Sequence, residues 1–190
     1  MKKIAFIGTH GVGKTTLAHE LVALLKIKGI DADFLGEIAR SCPFPINENA
    51  SKKAQLWIIF NQIVQELEKE EKSEILVCDR SVLDNYCYYI YLFGESKILE
   101  PLVLNHVKTY KYLFKIPIRN GFLNKDKARS VNPEFQRKID EIMDNLLKKF
   151  NIKYIDCKNI IENSEIIEEV IKKVGVEENY AKRIKRSVID

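Results

Sequence analysis

The sequence predicts an α/β fold, a three-layer α/β/α sandwich on a five-stranded parallel sheet, contained in one domain over residues 1–190. Three observations predict it. Short apolar runs suited to buried strands alternate with longer segments whose apolar residues recur at helical spacing, and that alternation yields a parallel sheet covered on both faces. A glycine-rich turn joins the first strand to the first helix. No repeat or linker marks a second unit, and a chain of 190 residues that is 46% hydrophobic can bury one sizeable core.

Residues 4–7 are a short apolar run, and residues 14–28 follow with Leu17, Leu21, Leu24 and Leu25 on one helical face until Gly29 ends the helix. Residues 31–35 read as the second strand. Beyond a proline-containing loop over 41–49, a long helix begins near residue 51 with Leu56, Phe60, Ile63, Val64 and Leu67 at helical spacing; this makes Trp57 and Phe60 core residues. Residues 74–78 form the third strand. Residues 83–93 and 98–110 are helices broken at Gly94, and the fourth strand, 112–116, is closed by Pro117. Residues 119–132 are polar, basic and turn-rich, and Pro133 stands where the first turn of a helix tolerates proline. Residues 153–157 supply the fifth strand, and a helix over 164–174 precedes a charged tail with Lys182, Arg183, Lys185 and Arg186. In such sheets ligands bind at the carboxyl ends of the strands.

Composition narrows the function classes. A formal charge of +4 suits anionic small molecules and falls short of a nucleic-acid-binding signature. The tail has no interleaved aromatic platform for RNA. Cys42, Cys78, Cys87 and Cys157 show no C-x-x-C spacing, which suggests a reducing compartment. The first apolar run stops at the glycine turn, too early for a signal peptide, and no apolar stretch approaches the ~18 residues of a membrane helix. The expectation is a cytoplasmic protein with a small-molecule partner and no membrane association. Oligomeric state stays open, a homodimer included.

Gly8-Thr9-His10-Gly11-Val12-Gly13-Lys14-Thr15 fits G-x-x-x-x-G-K-[ST] between a strand and a helix, the setting that this phosphate-binding motif requires. The expected sheet is therefore of the P-loop NTPase type. Glycines let such a loop curl so that backbone N–H groups face phosphate oxygens, and the following helix adds its positive end. The nucleotide-holding set is Gly8, His10, Gly11, Val12, Gly13, Lys14, Thr15 and Thr16. Lys14 is expected to reach the β- and γ-phosphates and Thr15 to ligate Mg²⁺. His10 is read as presenting its backbone rather than as an acid or base. His19 and His106 stand apart from it, so a histidine metal site has little support.

Asp79, at the carboxyl end of the third strand, stands where a carboxylate holds Mg²⁺, directly or through water, beside the phosphate loop. Motor-type ATPases commonly place a glutamate next, to polarise the attacking water; here the next residue is Arg80. A cation cannot be a general base, but it can hold an anionic or hydroxyl-bearing acceptor and screen the transferring group. This favours transfer over hydrolysis. Two GTPase-like decoys fail: Asn124-Lys125-Asp126-Lys127 has its carboxylate one place early, and Asp33-Phe34-Leu35-Gly36 lies too near the phosphate loop to be a switch.

The phosphate loop, with Asp79-Arg80-Ser81 followed by Asp84-Asn85-Tyr86, resembles the P-loop nucleoside and nucleotide kinases, including deoxynucleoside kinases and thymidylate kinases. It is also similar to small AAA-type ATP-binding domains related to nicotinamide riboside kinase. The likeness covers most of the chain as an order of elements. Deoxynucleoside kinases carry an acid-Arg-Ser triplet after the third strand, matched here with Asp for the usual Glu; thymidylate kinases carry Asp-Arg followed by an aromatic. The resemblance implies that Glu37 in GEIAR faces the acceptor and receives its proton, with Arg40 on the same face if that segment is helical. A local Glu37–Arg40 surface pair is the alternative. It also implies that the basic stretch holding Arg119, Lys125, Lys127 and Arg129 is a lid, with Arg129 brought to the triphosphate and Arg119 kept at the loop's base. Among the tyrosines after the third strand, Tyr86 is expected to face the site.

Together these residues specify an Mg²⁺-ATP-dependent phosphotransferase acting on a nucleoside, nucleotide or related small metabolite, GTP remaining open as donor. Lys14, Glu37, Arg80 and Arg129 form the catalytic set, Thr15 and Asp79 the metal ligands, and Glu37, Arg40, Arg80 and Tyr86 the acceptor side. The competing reading is an ATP-binding regulatory or assembly module with no small-molecule acceptor.

Overall fold

The computed structural model describes residues 1–119, 132–160 and 162–175. Five parallel strands form one sheet in the order β2-β3-β1-β4-β5, with β1 at Lys2–Ile7, β2 at Ala32–Leu35, β3 at Ile75–Cys78, β4 at Tyr112–Lys115 and β5 at Ile155–Asp156. The helices are α1 (Lys14–Ile27), α2 (Lys52–Lys69), α3 (Val82–Phe93), α4 (Leu99–Val107), α5 (Pro133–Lys149) and α6 (Asn163–Val174). This is the expected α/β/α sandwich. Two 3₁₀ turns follow β2: Ile38–Ser41 gives the segment after Glu37 a helical turn, and Asn47–Asn49 lies within the loop expected over 41–49.

Strand alternation assigns the two faces. Ala5 and Ile7 of β1 pack into a core with Ile58 and Ile59 of α2, Leu83 of α3, Val103 of α4 and Ile139 of α5. Ile4 and Phe6 point the other way, against Leu17 and Leu21 of α1 and Ile166 and Val170 of α6. Successive side chains of a strand face opposite sides, so the near-continuous apolar run of β1 is what a strand covered on both faces needs. Register pairs Ala5 with Cys78 on one side of β1 and Ile7 with Lys115 on the other. The turns leaving β1, β3 and β4 therefore emerge side by side.

The α2 helix presents only part of its apolar stripe inward: Leu56 and Ile63 pack against the core. Phe60, Val64 and Leu67 are 46%, 48% and 57% exposed, while Gln55, Gln62 and Glu66 are buried with Ala54, Ile58 and Ile59. Phe60 is therefore not a core residue, and Trp57 is only partly buried. Gln62 and Glu66 turn inward because they have partners there. Glu66 accepts from Lys3 Nζ at 2.7 Å, His106 Nε2 at 2.7 Å, Gln62 Nε2 at 2.7 Å and the Tyr110 hydroxyl at 2.5 Å. Burial opposes its charge, but the His106 hydrogen bond and the Lys3 ammonium outweigh it and hold the carboxyl below the ordinary glutamate range. A lowered carboxyl pKa stabilises the fold above that group's unfolded value, and the stabilisation is lost as pH falls through the folded value.

Glu66→Gln keeps the shape but leaves the Lys3 ammonium buried without its counter-charge. It should cost about 3–5 kcal/mol of unfolding free energy in urea titrations at neutral pH. A loss under about 1 kcal/mol would mean that the network is not holding the two elements together.

Candidate active site

The turn between β1 and α1 adopts positive φ at Gly8 (135°), Gly11 (70°) and Gly13 (92°), backbone that side chains rarely tolerate. At Gly8 space is closed as well: a Cβ would stand 2.6 Å from the Ile116 carbonyl oxygen just beyond β4. Gly13 precedes α1 without a side-chain cap, so the first N–H groups of the helix are left for an anion, the requirement of a phosphate cradle. Val12 is buried and Thr16 exposed. Lys14 is buried, its Nζ donating to the carbonyls of Gly8 (2.9 Å) and Thr9 (2.5 Å). Burial and then the Arg80 charge bring its pKa down to about 8, against the opposing pull of Asp84, Asp79 and Glu37.

The Thr15 hydroxyl donates to Asp79 Oδ2 at 2.6 Å. The two residues assigned to Mg²⁺ thus meet across the sheet edge although 64 positions apart. A hydroxyl, a carboxylate and the oxygens of a neighbouring triphosphate are the hard donor set that Mg²⁺ takes, so the pair fits that ion. Asp79 is otherwise buried, which raises its pKa despite Lys14 and the Thr15 hydrogen bond.

Arg80 leaves β3 at φ 145°, an unusual value for a residue with a side chain. Its Nε donates to Glu37 Oε1 at 2.8 Å, and its Nη1 lies 3.4 Å from the Tyr88 hydroxyl. Burial disfavours the guanidinium charge, but Glu37, Tyr88, Asp84 and Asp79 overcome this and keep it ionised. Glu37 Oε2 also accepts from Arg40 Nε at 3.1 Å. The local Glu37–Arg40 pair is therefore real, and it is shared with Arg80. Asp84 accepts from the Gly8 N–H at 2.9 Å through one oxygen and from the Ser81 N–H (2.8 Å) and hydroxyl (2.7 Å) through the other. Ser81 in turn caps α3 in a reciprocal capping box.

These groups border a small cleft beside the phosphate loop. His10, Glu37, Gln55, Arg80, Asn85 and Tyr88 give it polar walls, and Ala39, Ile46 and Ile58 apolar ones. Of the residues expected on the acceptor side, Glu37 and Arg80 line this cleft and Tyr86 does not. It is 1% exposed, with its hydroxyl accepting from the Ser96 N–H at 3.0 Å, because a residue three after the buried Leu83 shares the core face of α3. The tyrosine at the cleft is Tyr88. His10 contributes more than backbone: its Nδ1 is 3.0 Å from the Tyr88 hydroxyl, and its carbonyl accepts from Gln136 Nε2 of α5 at 2.7 Å. Arg119 holds Asn163 Oδ1 (2.9 Å) and the Ile160 carbonyl (3.2 Å), fixing it at the base of its loop. Arg129, Lys125 and Lys127 lie outside the described residues.

Gln55, Asn85 and Tyr88 were not singled out from sequence. The signal that could have found Gln55 is a glutamine two turns before another inward-facing polar pair, Gln62 and Glu66, on one helix.

The AAA domain family model matches residues 3–163. Among solved structures, deoxyadenosine kinase from M. mycoides is 16% identical with a TM-score of 0.64, over 91% of this chain and 98% of that one. Thymidylate kinase from Ehrlichia chaffeensis is 19% identical with a TM-score of 0.65, over 89% and 98%. The NadR protein in complex with NR is 18% identical with a TM-score of 0.71, covering 92% of this chain and 52% of that chain. These likenesses establish the fold of the P-loop nucleoside and nucleotide kinases. No curated protein matches the chain.

Gly8→Ala combines a positive φ with a Cβ pressed on backbone oxygen. It should weaken ATP binding by tenfold or more, roughly the effect of 1–3 kcal/mol of backbone strain, measured by calorimetry. Unchanged ATP affinity with unchanged thermal stability would contradict the close packing of Gly8 on β4.

Proposed function

Because the chain belongs to the AAA domain family and sets a polar cleft beside a phosphate loop, we propose that it is an Mg²⁺-ATP-dependent phosphotransferase of the P-loop kinase type. Its acceptor is a nucleoside, nucleotide or related small metabolite. One observation carries the reading. Arg80 joins the two halves, with Asp79 and the phosphate loop on one side and Glu37 and the cleft on the other. A regulatory module with no acceptor needs no such cleft.

On this reading Thr15 and Asp79 would hold Mg²⁺, which would supply charge neutralisation to the triphosphate. Lys14 exchanges the loop carbonyls for phosphate oxygens, with Gly8, His10, Gly11, Val12, Gly13 and Thr16 shaping the rest of the cradle. The acceptor hydroxyl gives its proton to Glu37 as its oxygen bonds to the γ-phosphorus, and the bond to the β–γ bridging oxygen breaks to release ADP. Arginines meet both carboxylate oxygens of Glu37. A loose phosphoryl transition state asks little of base strength and much of position, and the same two contacts fix that position. Arg80 screens the charge on the transferring group, Arg40 steadies Glu37 from the rim, and Arg129 is proposed as the arginine of the closing segment. The single domain over residues 1–190 acts in a reducing, cytoplasmic setting. All four cysteines are free, and among the described residues no helix is long and apolar enough to cross a membrane.

Labelled ATP with a panel of nucleosides, nucleotides and nicotinamide riboside tests the reading. Transfer to at least one acceptor is expected; robust hydrolysis with transfer to none sinks it. Lys14→Ala should abolish productive ATP binding. Arg80→Ala should lower kcat by about 10²-fold or more, as loss of a transition-state donor does, while ATP affinity holds within a few-fold. An Arg80→Ala enzyme as active as the parent would remove the acceptor-side role.

A further inference from the structure

Among the described residues, the cleft is charge-balanced before any acceptor enters it. Arg80 is the one Lys or Arg side chain among its described lining residues, and Glu37 Oε1 answers it at 2.8 Å. Asp79 and Asp84 add their fields to the same guanidinium. Arg40, at the rim, is 3.1 Å from the second oxygen of Glu37. Lys14 faces the carbonyls of its own loop and is committed to the donor nucleotide. Among the described residues, Arg80 and Arg40 already share the Glu37 carboxylate, and on the kinase reading Lys14 serves the donor phosphates. A second phosphate arriving with the acceptor would bring about two further negative charges into a partly desolvated site already holding the donor's, and uncompensated buried charge is costly.

The walls point the same way. Gln55 is 2% exposed and lines the cleft, and its Oε1 has no hydrogen-bond partner among the described residues. A buried acceptor oxygen without a donor costs about 1–3 kcal/mol, which a ligand carrying an N–H or O–H group recovers. A dianionic phosphate has no hydrogen to give. Asn85, also at the cleft, spends its Nδ2 on Gln62 Oε1 at 3.4 Å, and Ala39, Ile46 and Ile58 add apolar surface.

Resting on the kinase reading, we infer that the phosphate acceptor is an uncharged, hydroxyl-bearing molecule with hydrogen-bond donors, of the nucleoside class, and not a nucleoside monophosphate. Specificity resides in the Arg80–Glu37 pair: the carboxylate that receives the proton also cancels the charge that a monophosphate would need.

The full chain is assayed with Mg²⁺-ATP against adenosine, cytidine, guanosine and thymidine and, in parallel, against their 5′-monophosphates, with products identified by mass spectrometry. Transfer to at least one nucleoside is expected, with kcat/KM about 100-fold or more above its monophosphate, the fold-change that an unpaired buried charge implies. Monophosphates used as well as or better than nucleosides overturn the inference and leave the kinase reading standing. Transfer in neither arm overturns both. A binding measurement without ATP reads the charge balance directly: Glu37→Gln uncovers Arg80 and should tighten monophosphate binding about tenfold without tightening nucleoside binding. Equal effects on the two, or none on the monophosphate, would remove the Arg80–Glu37 pair as the determinant.

Discussion

The carboxylate of Asp84 is the contact on which the arrangement of the site depends. It is fully buried and accepts three hydrogen bonds, from the Gly8 N–H and from the N–H and hydroxyl of Ser81. Charge-assisted bonds from oriented donors are stronger than neutral ones, and these tie the turn after β1 to the turn after β3. From the opposite side Gly8 presses on the Ile116 carbonyl beyond β4. The phosphate loop is thus gripped between its two sheet neighbours. Parallel order β3-β1-β4 makes this possible, because strands running the same way deliver their terminal turns to one edge.

A second constraint works from beneath. Arg80 keeps an unfavourable backbone angle, a strain that persists only where surrounding contacts over-determine it. Its carbonyl lies 3.4 Å from Gln62 Nε2, and Gln62 is bonded to Glu66, which gathers Lys3, His106 and Tyr110. The Tyr110 hydroxyl returns to the site by accepting from the Val82 N–H at 3.0 Å. One buried polar network therefore braces the backbone on both sides of Ser81 while joining β1, α2 and α4. Fully satisfied, such a network fixes a single arrangement of the elements it joins.

This network also explains what the sequence hid. The phosphate loop is contiguous and its glycines, lysine and threonine are each demanded by local geometry, so Gly8 through Thr15 could be read directly. Strand and helix order followed from periodicity, to within a few residues at the ends of α4 and β5. The inward face of α2 could not be read that way, because hydrophobic periodicity takes the apolar stripe as the buried one. Here Phe60, Val64 and Leu67 face outward and Gln62 and Glu66 inward, since the partners that hold Glu66, namely Lys3, His106 and Tyr110, are distant in sequence. Tyr86 and Tyr88 fail for a related reason: a two-residue step turns a helix by roughly 200°, and only the packing of Leu83 decides which of them meets the core. Arg80 and Glu37 were legible because one carries a motif and the other a resemblance.

The contacts between the two sides of the site are short and continuous. His10 of the phosphate loop meets the Tyr88 hydroxyl, Tyr88 lies 5.3 Å beneath the Arg80 guanidinium, and Arg80 meets Glu37. Phe135 of α5 packs on both His10 and Tyr88, so the helix that follows residues 120–131 bears on the same seam. A group that moves at the phosphate loop must disturb this seam, and one that moves at Glu37 must disturb it from the other end. Were the residue after Asp79 a glutamate, the same position would offer a proton acceptor to water and no partner to Glu37. With arginine there, the carboxylate stands one residue's reach farther out, on the cleft side of the guanidinium. On the proposed reading, proton acceptance is thereby displaced from the place where water would be activated to the place where an acceptor hydroxyl enters, and that displacement separates a transferase from a hydrolase on this fold.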